Sequence, residues 1–305
     1  MEASTSRAGK DACQIITDRV IQLIENEVIP WYQLWTTGGL PQNLVTRRPY
    51  RGINLLLLLA AGYGSNYFLT YPQLKNLGGR VKKGEKAHPV IYWKQPEMPS
   101  KDDADADEPV RNPTLQYRLV FNISQCEDIP EDKIPRVAKR NNPLRACENI
   151  VRMMPNTPNI NSELNDAYYQ PFHDIVYVPD MNSYPKREDY YAALFHEMVH
   201  STGHEDRLNR SGILQTTEYG SDRYTMEELV ADIGECFLKS FAGLQCEPLP
   251  YDNAYAQGWI QTFRNDPQFI IKAATMAQKA VEYILSVPNG HVEGNAPAMS
   301  ETAVQ

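Results

Sequence analysis

The sequence has 305 residues, of which 42% are hydrophobic and 22% charged, a composition that provides for about two domains of roughly 150 residues each. The longest apolar run, residues 53–61, is far shorter than the ~20 residues of a membrane-spanning helix, and the polar residues 1–11 do not form a secretory signal. The five cysteines are scattered and contain no Cys-x-x-Cys pair, which argues against a disulfide scaffold and a zinc-thiolate site. These features predict a cytoplasmic protein with reduced thiols and no membrane partner.

The charge is distributed unevenly along the chain. The net charge is −8, yet residues 1–96 contain 12 basic and 6 acidic side chains, whereas the remainder contains 18 basic and 32 acidic ones. A basic first third on an acidic protein predicts that this part alone binds a polyanion.

Hydrophobic spacing predicts three helices in the first half, over residues 11–28, 53–61 and 70–77. Residues 80–94 read as a basic hairpin around Lys83 and Gly84, and residues 117–123 resume a strand pattern. Residues 97–113 are acidic and proline-containing and have little to bury, so they predict a solvated loop. This loop is expected to be an insertion between two strands of one sheet.

The second half predicts helices over residues 145–153 and 190–202 and a short strand over residues 174–178. A further helix is expected from an N-cap at Thr225 to about Ala242, before Gly243. The polar residues after Leu285 are expected to form a flexible tail.

The strongest chemical signal is His196-Glu197-Met198-Val199-His200, an HExxH pattern on a predicted helix. Histidines four residues apart lie on one helix face, so both imidazoles are able to bind one Zn²⁺ ion. Glu197 is close enough to take a proton from the attacking water and is the expected catalytic base. Manganese or another divalent ion also suits two histidines and a carboxylate.

A catalytic zinc ion needs a third protein ligand, for which two candidates remain. Glu228 lies on the next long helix, and Asp232, one turn further on, is placed to accept a hydrogen bond from the second nitrogen of a ligand histidine. This Glu-x-x-x-Asp arrangement is that of gluzincin peptidases, and Glu227 is a weaker variant of it. The alternative is Asp206, because residues 196–206 also match the metzincin-like HExxHxxGxxD pattern. We favour Glu228, because it comes with an orienting carboxylate.

Cations and aromatic side chains alternate in the basic first third. Proteins that bind single-stranded nucleic acid use this combination, with aromatic faces stacked on bases and cations against phosphates. The alternative is that Trp31, Trp93 and about half of the tyrosines belong to the core. The candidate DNA contacts are Trp35, Arg47, Arg48, Tyr50, Arg51, Tyr63, Tyr67, Arg80, Lys82, Lys83 and Lys86.

Four stretches of the chain resemble the ArdC-type antirestriction proteins of conjugative plasmids. Residues 46–67 (TRRPYRGINLLLL…AAGYGSNY) and 77–86 (LGGRVKKGEK) resemble the single-stranded-DNA-binding domain of that family, which is also found in some plasmid primases. Residues 191–210 (YAALFHEMVHSTGHEDRLNR) and 227–234 (EELVADIG) resemble its zincin-like metallopeptidase domain. The resemblance covers nearly the whole chain except the acidic insertion and the tail.

This resemblance and the predicted elements together indicate two α+β domains. The expected N-terminal domain, residues 1–135, is an α+β single-stranded-DNA-binding domain with a flexible acidic insertion at 97–113. The expected C-terminal domain, residues 145–288, is a gluzincin-like zincin metallopeptidase domain, followed by a flexible tail at 289–305. The resemblance implies a plasmid-encoded cytoplasmic protein that protects transferred DNA from restriction during conjugation.

The expected function is therefore antirestriction by a single-stranded-DNA-binding, zinc-dependent metallopeptidase. Its expected partners are single-stranded DNA and a protein substrate of unknown identity, either bound to DNA or part of a restriction system. The alternative is a DNA-binding protein that masks DNA or blocks restriction enzymes without proteolysis, its metal site being structural or vestigial. Retention of Glu197 argues against that alternative, because folding around a metal requires the ligands and not the base.

Overall fold

The computed structural model describes residues 11–32, 39–94, 114–135, 142–214, 222–244 and 251–287. Its α-helices are α1 (Ala12–Glu25), α2 (Gly52–Ala60), α3 (Tyr71–Asn76), α4 (Pro143–Met153), α5 (Arg187–Ser201), α6 (Ser211–Leu214), α7 (Asp222–Ala242), α8 (Asn253–Asn265) and α9 (Phe269–Ile284). Its strands are β1 (Gln42–Asn43), β2 (Tyr67–Thr70), β3 (Arg80–Val81), β4 (His88–Lys94), β5 (Thr114–Asn122), β6 (Cys126–Glu127), β7 (Asn159–Asn161), β8 (Tyr168–Gln170) and β9 (Ile175–Tyr177). Among these helices, none is long and apolar enough to cross a membrane.

A four-stranded sheet organises the first half, in the order β1-β2-β5-β4. Strands β4 and β5 are antiparallel, with Lys94 opposite Thr114 and His88 opposite Val120. The acidic segment therefore joins two adjacent strands of one sheet, as the sequence predicted. The segment itself lies outside the described residues, as do Trp35 and the tail.

The predicted hairpin over residues 80–94 is wrong. Strand β3 pairs with β6 instead of β4, with Arg80 opposite Glu127 and Val81 opposite Cys126. The Arg80 guanidinium lies 2.7 Å from Glu127 and 2.7 Å from Asp128. The turn after β3 thus passes the chain from one sheet to another, and the partner strand lies too far along the sequence for local periodicity to reveal it.

The leucine-rich helix α2 is buried on several sides. Leu58 packs against Phe68 of the sheet, whereas Leu56 and Leu59 face the main core that includes α7 and α9. A helix with apolar partners on opposite sides needs apolar residues around its circumference, which explains the uninterrupted leucine run.

The second half places a three-stranded sheet, ordered β7-β9-β8, beside the packed helices α5, α7 and α9. Helix α7 begins by Asp222, so the predicted N-cap at Thr225 is wrong and Thr225 lies inside the helix. Thr225-x-x-Glu228 has the spacing of a capping box, but the Glu228 carboxylate turns toward two histidines of α5 instead.

The two halves of the chain share one continuous core. Helix α1 packs against α8, and α2 packs against α9. At the start of α2, Arg51 forms an ion pair with Glu282 of α9, and the Gly52 amide donates to Gln278 Oε1 over 2.9 Å. The fold is thus mixed α+β, with its halves joined by buried contacts. The domain boundaries given above stay a prediction.

Candidate metal site

Helices α5 and α7 bring three candidate ligands together. His196 and His200 lie one turn apart on α5, and Glu228 faces them from α7. Their nearest ligand atoms are separated by 3.1 Å between the two histidine Nε2 atoms, 3.5 Å from His196 Nε2 to Glu228, and 3.6 Å from His200 Nε2 to Glu228. Ligands about 2.0–2.1 Å from a tetrahedral zinc ion lie about 3.4 Å from one another. The three residues therefore fit a divalent metal.

Close packing of α5 against α7 makes this geometry possible. A Cβ atom on Gly234 of α7 would lie 2.7 Å and 2.9 Å from the two methyl groups of Val199 on α5. Only a glycine allows the helices to approach this closely at the turn after Asp232. The geometry of the site thus depends on Gly234, which is not itself a candidate ligand.

The second nitrogen of His196 faces two carboxylates of α7. Its Nδ1 atom lies 3.4 Å from Asp232 Oδ1 and 3.5 Å from Glu235 Oε2. Glu235 is itself paired with the buried Lys239 at 2.6 Å. An Nδ1 proton shared with these acids leaves the Nε2 lone pair of His196 free to face a metal.

The second nitrogen of His200 faces Glu227. His200 Nδ1 lies 3.4 Å from Glu227 Oε1, and Arg210 binds both oxygens of that carboxylate at 2.5 and 3.0 Å. Arg210 also donates to the Thr202 hydroxyl at 2.6 Å and to the Val199 carbonyl at 2.8 Å. Glu227, considered above as a variant third ligand, therefore lies on the far side of His200 from Glu228.

The carboxylates dominate the electrostatics of the site. Burial by itself lowers the pKa of His200, but hydrogen bonds with Glu227 and Glu228 outweigh burial and raise that pKa to about 9. Burial also opposes protonation of His196, yet its bonds with Asp232, Glu228 and Glu235 raise its pKa well above the usual value. Of the four acids Glu227, Glu228, Asp232 and Glu235, Glu227 is paired with Arg210 and Glu235 with Lys239. The remaining negative charge favours a bound divalent cation.

Glu197 lies beside the three candidate ligands and is 8% exposed. Burial raises the pKa of its carboxyl group, while the charges of His200 and His196 and a hydrogen bond with the Tyr169 backbone lower it, and the net shift is upward. A carboxylate with a raised pKa is a stronger base near neutral pH. The placement suits the role of proton acceptor that the sequence predicted.

Asp206 lies apart from this cluster. Its side chain is 80% exposed and its carboxylate is 3.7 Å from His204 Nδ1. Among the described residues, two groups of potential metal ligands come together: His196 with His200 and Glu228, and His196 with Asp232 and Glu235. Neither group contains Asp206. The geometry therefore favours Glu228 over Asp206 as the third ligand.

Most of the predicted DNA-contacting cations are on the surface. Several of them have protein partners: Arg80 is paired with Glu127 and Asp128, Lys82 donates to the Ser124 carbonyl at 2.7 Å, and Arg47 donates to the Lys133 carbonyl at 3.0 Å. The exposed members of the set are Arg47, Arg48, Arg80, Lys82, Lys83 and Lys86.

The predicted DNA-contacting tyrosines mainly pack inside the protein. Tyr50 and Tyr63 meet Phe68 edge-on, with ring centroids 6.2 and 6.0 Å apart, and Tyr67 is only 7% exposed. Half-buried or buried rings of this kind offer less of a stacking surface to a base than an exposed ring.

The structure also shows where Arg51 and the tryptophans Trp31 and Trp93 lie. Arg51 is engaged by Glu282 at the joint between α2 and α9, which gives it a structural partner. Trp31 is 1% exposed and belongs to the core, whereas Trp93 is 64% exposed at the end of β4. The suggestion that Trp93 is core is therefore wrong.

Sequence reasoning missed several residues that shape the metal site. Glu235 follows Glu228 and Asp232 at helical spacing, so extending the pattern by one turn would have found it. Arg210 and Tyr255, whose hydroxyl lies 3.4 Å from Asp232, reach the site from distant segments, and no local signal points to either.

Comparison with known proteins identifies both halves of the chain. The sequence profile of the N-terminal domain of anti-restriction factor ArdC matches residues 10–121, and that of a zincin-like metallopeptidase matches residues 147–276. Two curated sequences of DNA primase TraC from Escherichia coli are 29% and 30% identical over 91% and 92% of this chain, which spans 27% and 20% of their lengths. An uncharacterized protein of Sinorhizobium fredii, y4eC, is 28% identical over 92% of this chain and 93% of its own length.

Solved structures resemble the chain over nearly its whole length. The metal-free crystal structure of the antirestriction ArdC protein from the R388 plasmid superposes with a TM-score of 0.70 at 33% identity, covering 92% of this chain and all of that one. The Mn(II)-bound structure of the same protein gives a TM-score of 0.68 at 33% identity, covering 91% of this chain and 98% of that one. Matched in both domains and along the full length of that structure, this chain belongs to the ArdC family of antirestriction proteins, with an ArdC N-terminal domain followed by a zincin-like metallopeptidase domain.

Proposed function

We propose that this chain is an antirestriction protein whose N-terminal domain binds single-stranded DNA and whose C-terminal domain is a zinc-dependent peptidase acting on DNA-bound or restriction-system proteins. The observation that carries the peptidase proposal is Glu197, a buried carboxylate adjacent to a converging His196, His200 and Glu228. A purely structural metal site needs the three ligands and has no use for this fourth group.

When bound, a divalent metal at His196, His200 and Glu228 supplies a Lewis acid that polarises a carbonyl and lowers the pKa of a water molecule. Zinc suits this ligand set, and the Mn(II)-bound relative supports manganese as a second candidate. Glu197 accepts the proton of the attacking water at its carboxylate and later transfers it to the leaving amine. The carboxylates at Nδ1 of each histidine hold the imidazoles in the orientation that this chemistry requires.

The DNA-binding proposal rests on the exposed cations of the first domain. Lys83 and Lys86 are exposed and make no ion pair among the residues that the structure describes. The exposed ring of Trp93, next to Lys94, offers a surface on which a base would stack. The basic domain would hold the peptidase on the strand, so that a protein on the same strand meets it at high effective concentration.

The decisive experiment compares Glu197→Gln with the wild type for metal content, single-stranded-DNA affinity, cleavage of DNA-bound proteins or of the chain itself, and protection of DNA from restriction. We expect the variant to retain metal and DNA affinity and to lose both DNA-stimulated cleavage and protection. Glutamine keeps the volume of the side chain and removes its basicity.

A Glu197→Gln variant that protects DNA as well as the wild type would show that proteolysis is not the protective act. The chain would then be a DNA-masking or restriction-blocking protein with a structural or vestigial metal site.

A further inference from the structure

Tyr255 of α8 connects the N-terminal segment to the metal site. Its hydroxyl lies 3.4 Å from Asp232 Oδ2, while the other oxygen of that carboxylate lies 3.4 Å from His196 Nδ1. On its opposite side, the Tyr255 hydroxyl lies 2.9 Å from the Tyr32 hydroxyl and 3.2 Å from Trp31 Nε1. Residues 31 and 32 belong to the part of the chain that matches the ArdC N-terminal domain.

The donors and acceptors determine the direction of this chain of hydrogen bonds. An indole N–H only donates, so Trp31 donates to the Tyr255 oxygen, and an ionised Asp232 only accepts. The single Tyr255 proton therefore goes to Asp232. The Tyr32 hydroxyl donates to the second lone pair of the Tyr255 oxygen.

Packing holds these groups in place. The Tyr32 and Tyr255 rings are stacked 5.8 Å apart at 14°, and Trp31, 1% exposed, meets Trp259 edge-on at 5.6 Å. Aromatic rings packed in this way lose little entropy when their polar atoms form hydrogen bonds. The Tyr255 hydroxyl is thus fixed where it constrains one Asp232 oxygen and leaves the other for His196.

We propose that Tyr255, held by Trp31 and Tyr32 of the N-terminal domain, is a positioning residue of the metal site that orients Asp232 against His196. The N-terminal domain then contributes to metal affinity through Tyr255 and Asp232, at a distance of three hydrogen bonds from the ligand His196. The proposal rests on the metal site of the proposed function but is independent of peptidase activity.

The test measures the Kd of the full-length protein for Mn(II), by titration followed with electron paramagnetic resonance, in Tyr255→Phe, Tyr32→Phe and the double variant. Loss of a hydrogen-bonding partner of a metal-site carboxylate is expected to raise the Kd about fivefold in Tyr255→Phe, below the ten- to hundredfold typical of groups that contact the ligand directly. Tyr32→Phe should raise it about twofold. Because Tyr32 acts through Tyr255, the double variant should match Tyr255→Phe.

The matched control is Tyr92→Phe, which removes a tyrosine hydroxyl that donates to Gln116 at 2.9 Å in the N-terminal sheet. It should leave the Kd unchanged. The visible spectrum of the Co(II)-loaded protein should shift in Tyr255→Phe and stay unchanged in the control, which separates ligand orientation from general stability.

A wild-type Kd and spectrum in Tyr255→Phe would overturn the proposal, and so would additive effects in the double variant. If Tyr255→Phe fails to fold, Tyr32→Phe and Trp31→Phe decide it through the same two measurements. A loss of peptidase activity in Tyr255→Phe with unchanged Kd would count against this inference and leave the proposed function standing.

Discussion

Each ligand histidine of the candidate site faces acidic side chains at its second ring nitrogen. His196 faces Asp232 and Glu235, and His200 faces Glu227, which Arg210 fixes from the other side. These acids favour the tautomer in which Nδ1 carries the proton and Nε2 is the ligand atom. The histidines are thus the candidate metal ligands, and a separate set of acidic residues orients them.

The first prediction concerns the third ligand. Glu228→Ala should remove most of the bound zinc, because it leaves two histidines as the only protein ligands, whereas Asp206→Ala should leave the zinc content unchanged. Metal analysis of the purified variants after dialysis checks both. The reverse order would replace the gluzincin arrangement with the metzincin one.

The second prediction concerns His88, whose side chain is partly buried beside Tyr63. Burial, and to a lesser extent the charge of Arg19, lowers the pKa of His88 to about 4. An unfolded histidine has a pKa near 6.5, so between the two values the unfolded chain binds more protons. Stability is therefore fully present above about pH 6.5 and is lost as the pH falls toward 4.

Linkage gives this loss a size of about 2 kcal/mol between pH 7.5 and pH 5. Urea unfolding of the metal-free protein at both pH values should show the wild type losing about 2 kcal/mol more than His88→Gln, which keeps a hydrogen-bonding group and does not titrate. Other titrating groups are common to both proteins and cancel in the difference. Equal losses would contradict the assignment.

At the scale of elements, the approach of α5 to α7 decides whether the site exists. Gly234 allows it, since any larger residue would meet the Val199 methyl groups. Gly234 is also an unfavourable residue in the middle of a helix, by about 1 kcal/mol relative to alanine. Glycine is intrinsically unfavourable at this position of α7, but the close packing of α5 leaves no room for a larger residue.

The third prediction follows from that conflict. Gly234→Ala should lower the free energy of unfolding by about 1 kcal/mol, because overpacking of roughly 1–3 kcal/mol exceeds the gain in helix propensity. Metal affinity should fall with it, since Glu228 and Asp232 move away from α5. Thermal unfolding and metal titration check the two effects.

Val199→Ala provides the control for this steric explanation. In the Val199→Ala variant there is space for the methyl group that Gly234→Ala adds. Gly234→Ala should therefore lower the free energy of unfolding less in that variant than in the wild type. An equal cost in both backgrounds would show that the clash with Val199 is not the cause.

At the scale of the whole molecule, the N-terminal and C-terminal parts are packed as one core. The ion pair of Arg51 with Glu282 and the bond from Gly52 to Gln278 join α2 to α9. The Tyr32, Tyr255 and Asp232 contacts make a second connection, close to the metal site. The basic surface and the acidic metal domain are therefore held in a defined relation to each other.

The fourth prediction tests the basic surface within this assembly. Substituting Lys82, Lys83 and Lys86 by alanine should weaken single-stranded-DNA binding and reduce the slope of log affinity against log salt by about 2, because up to three phosphate contacts are lost. Metal content should not change. Fluorescence titrations at several salt concentrations measure the slope.

Lys272→Ala with Lys279→Ala on α9 serves as the control for a general effect of charge, and it should leave the slope almost unchanged. Equal effects per lysine removed in the two sets would show that the charge acts at long range, without contacts at the predicted surface.

The sequence by itself determined the features that depend on local spacing. The pair His196 and His200 with Glu197 follows from positions four residues apart on one helix, and the insertion between β4 and β5 follows from composition. The ArdC resemblance likewise rests on contiguous stretches, and the comparisons confirm it.

Only the tertiary structure decided what depends on contacts between distant segments. Local periodicity assigned β3 to the wrong partner, because residues 80–81 pair with residues 126–127. Which acid faces which histidine nitrogen was likewise open, since Glu227, Glu228 and Asp232 are neighbours in sequence and separate only when α7 packs on α5. Helical spacing places side chains on a face, and the packing of a second helix decides which atoms on that face meet.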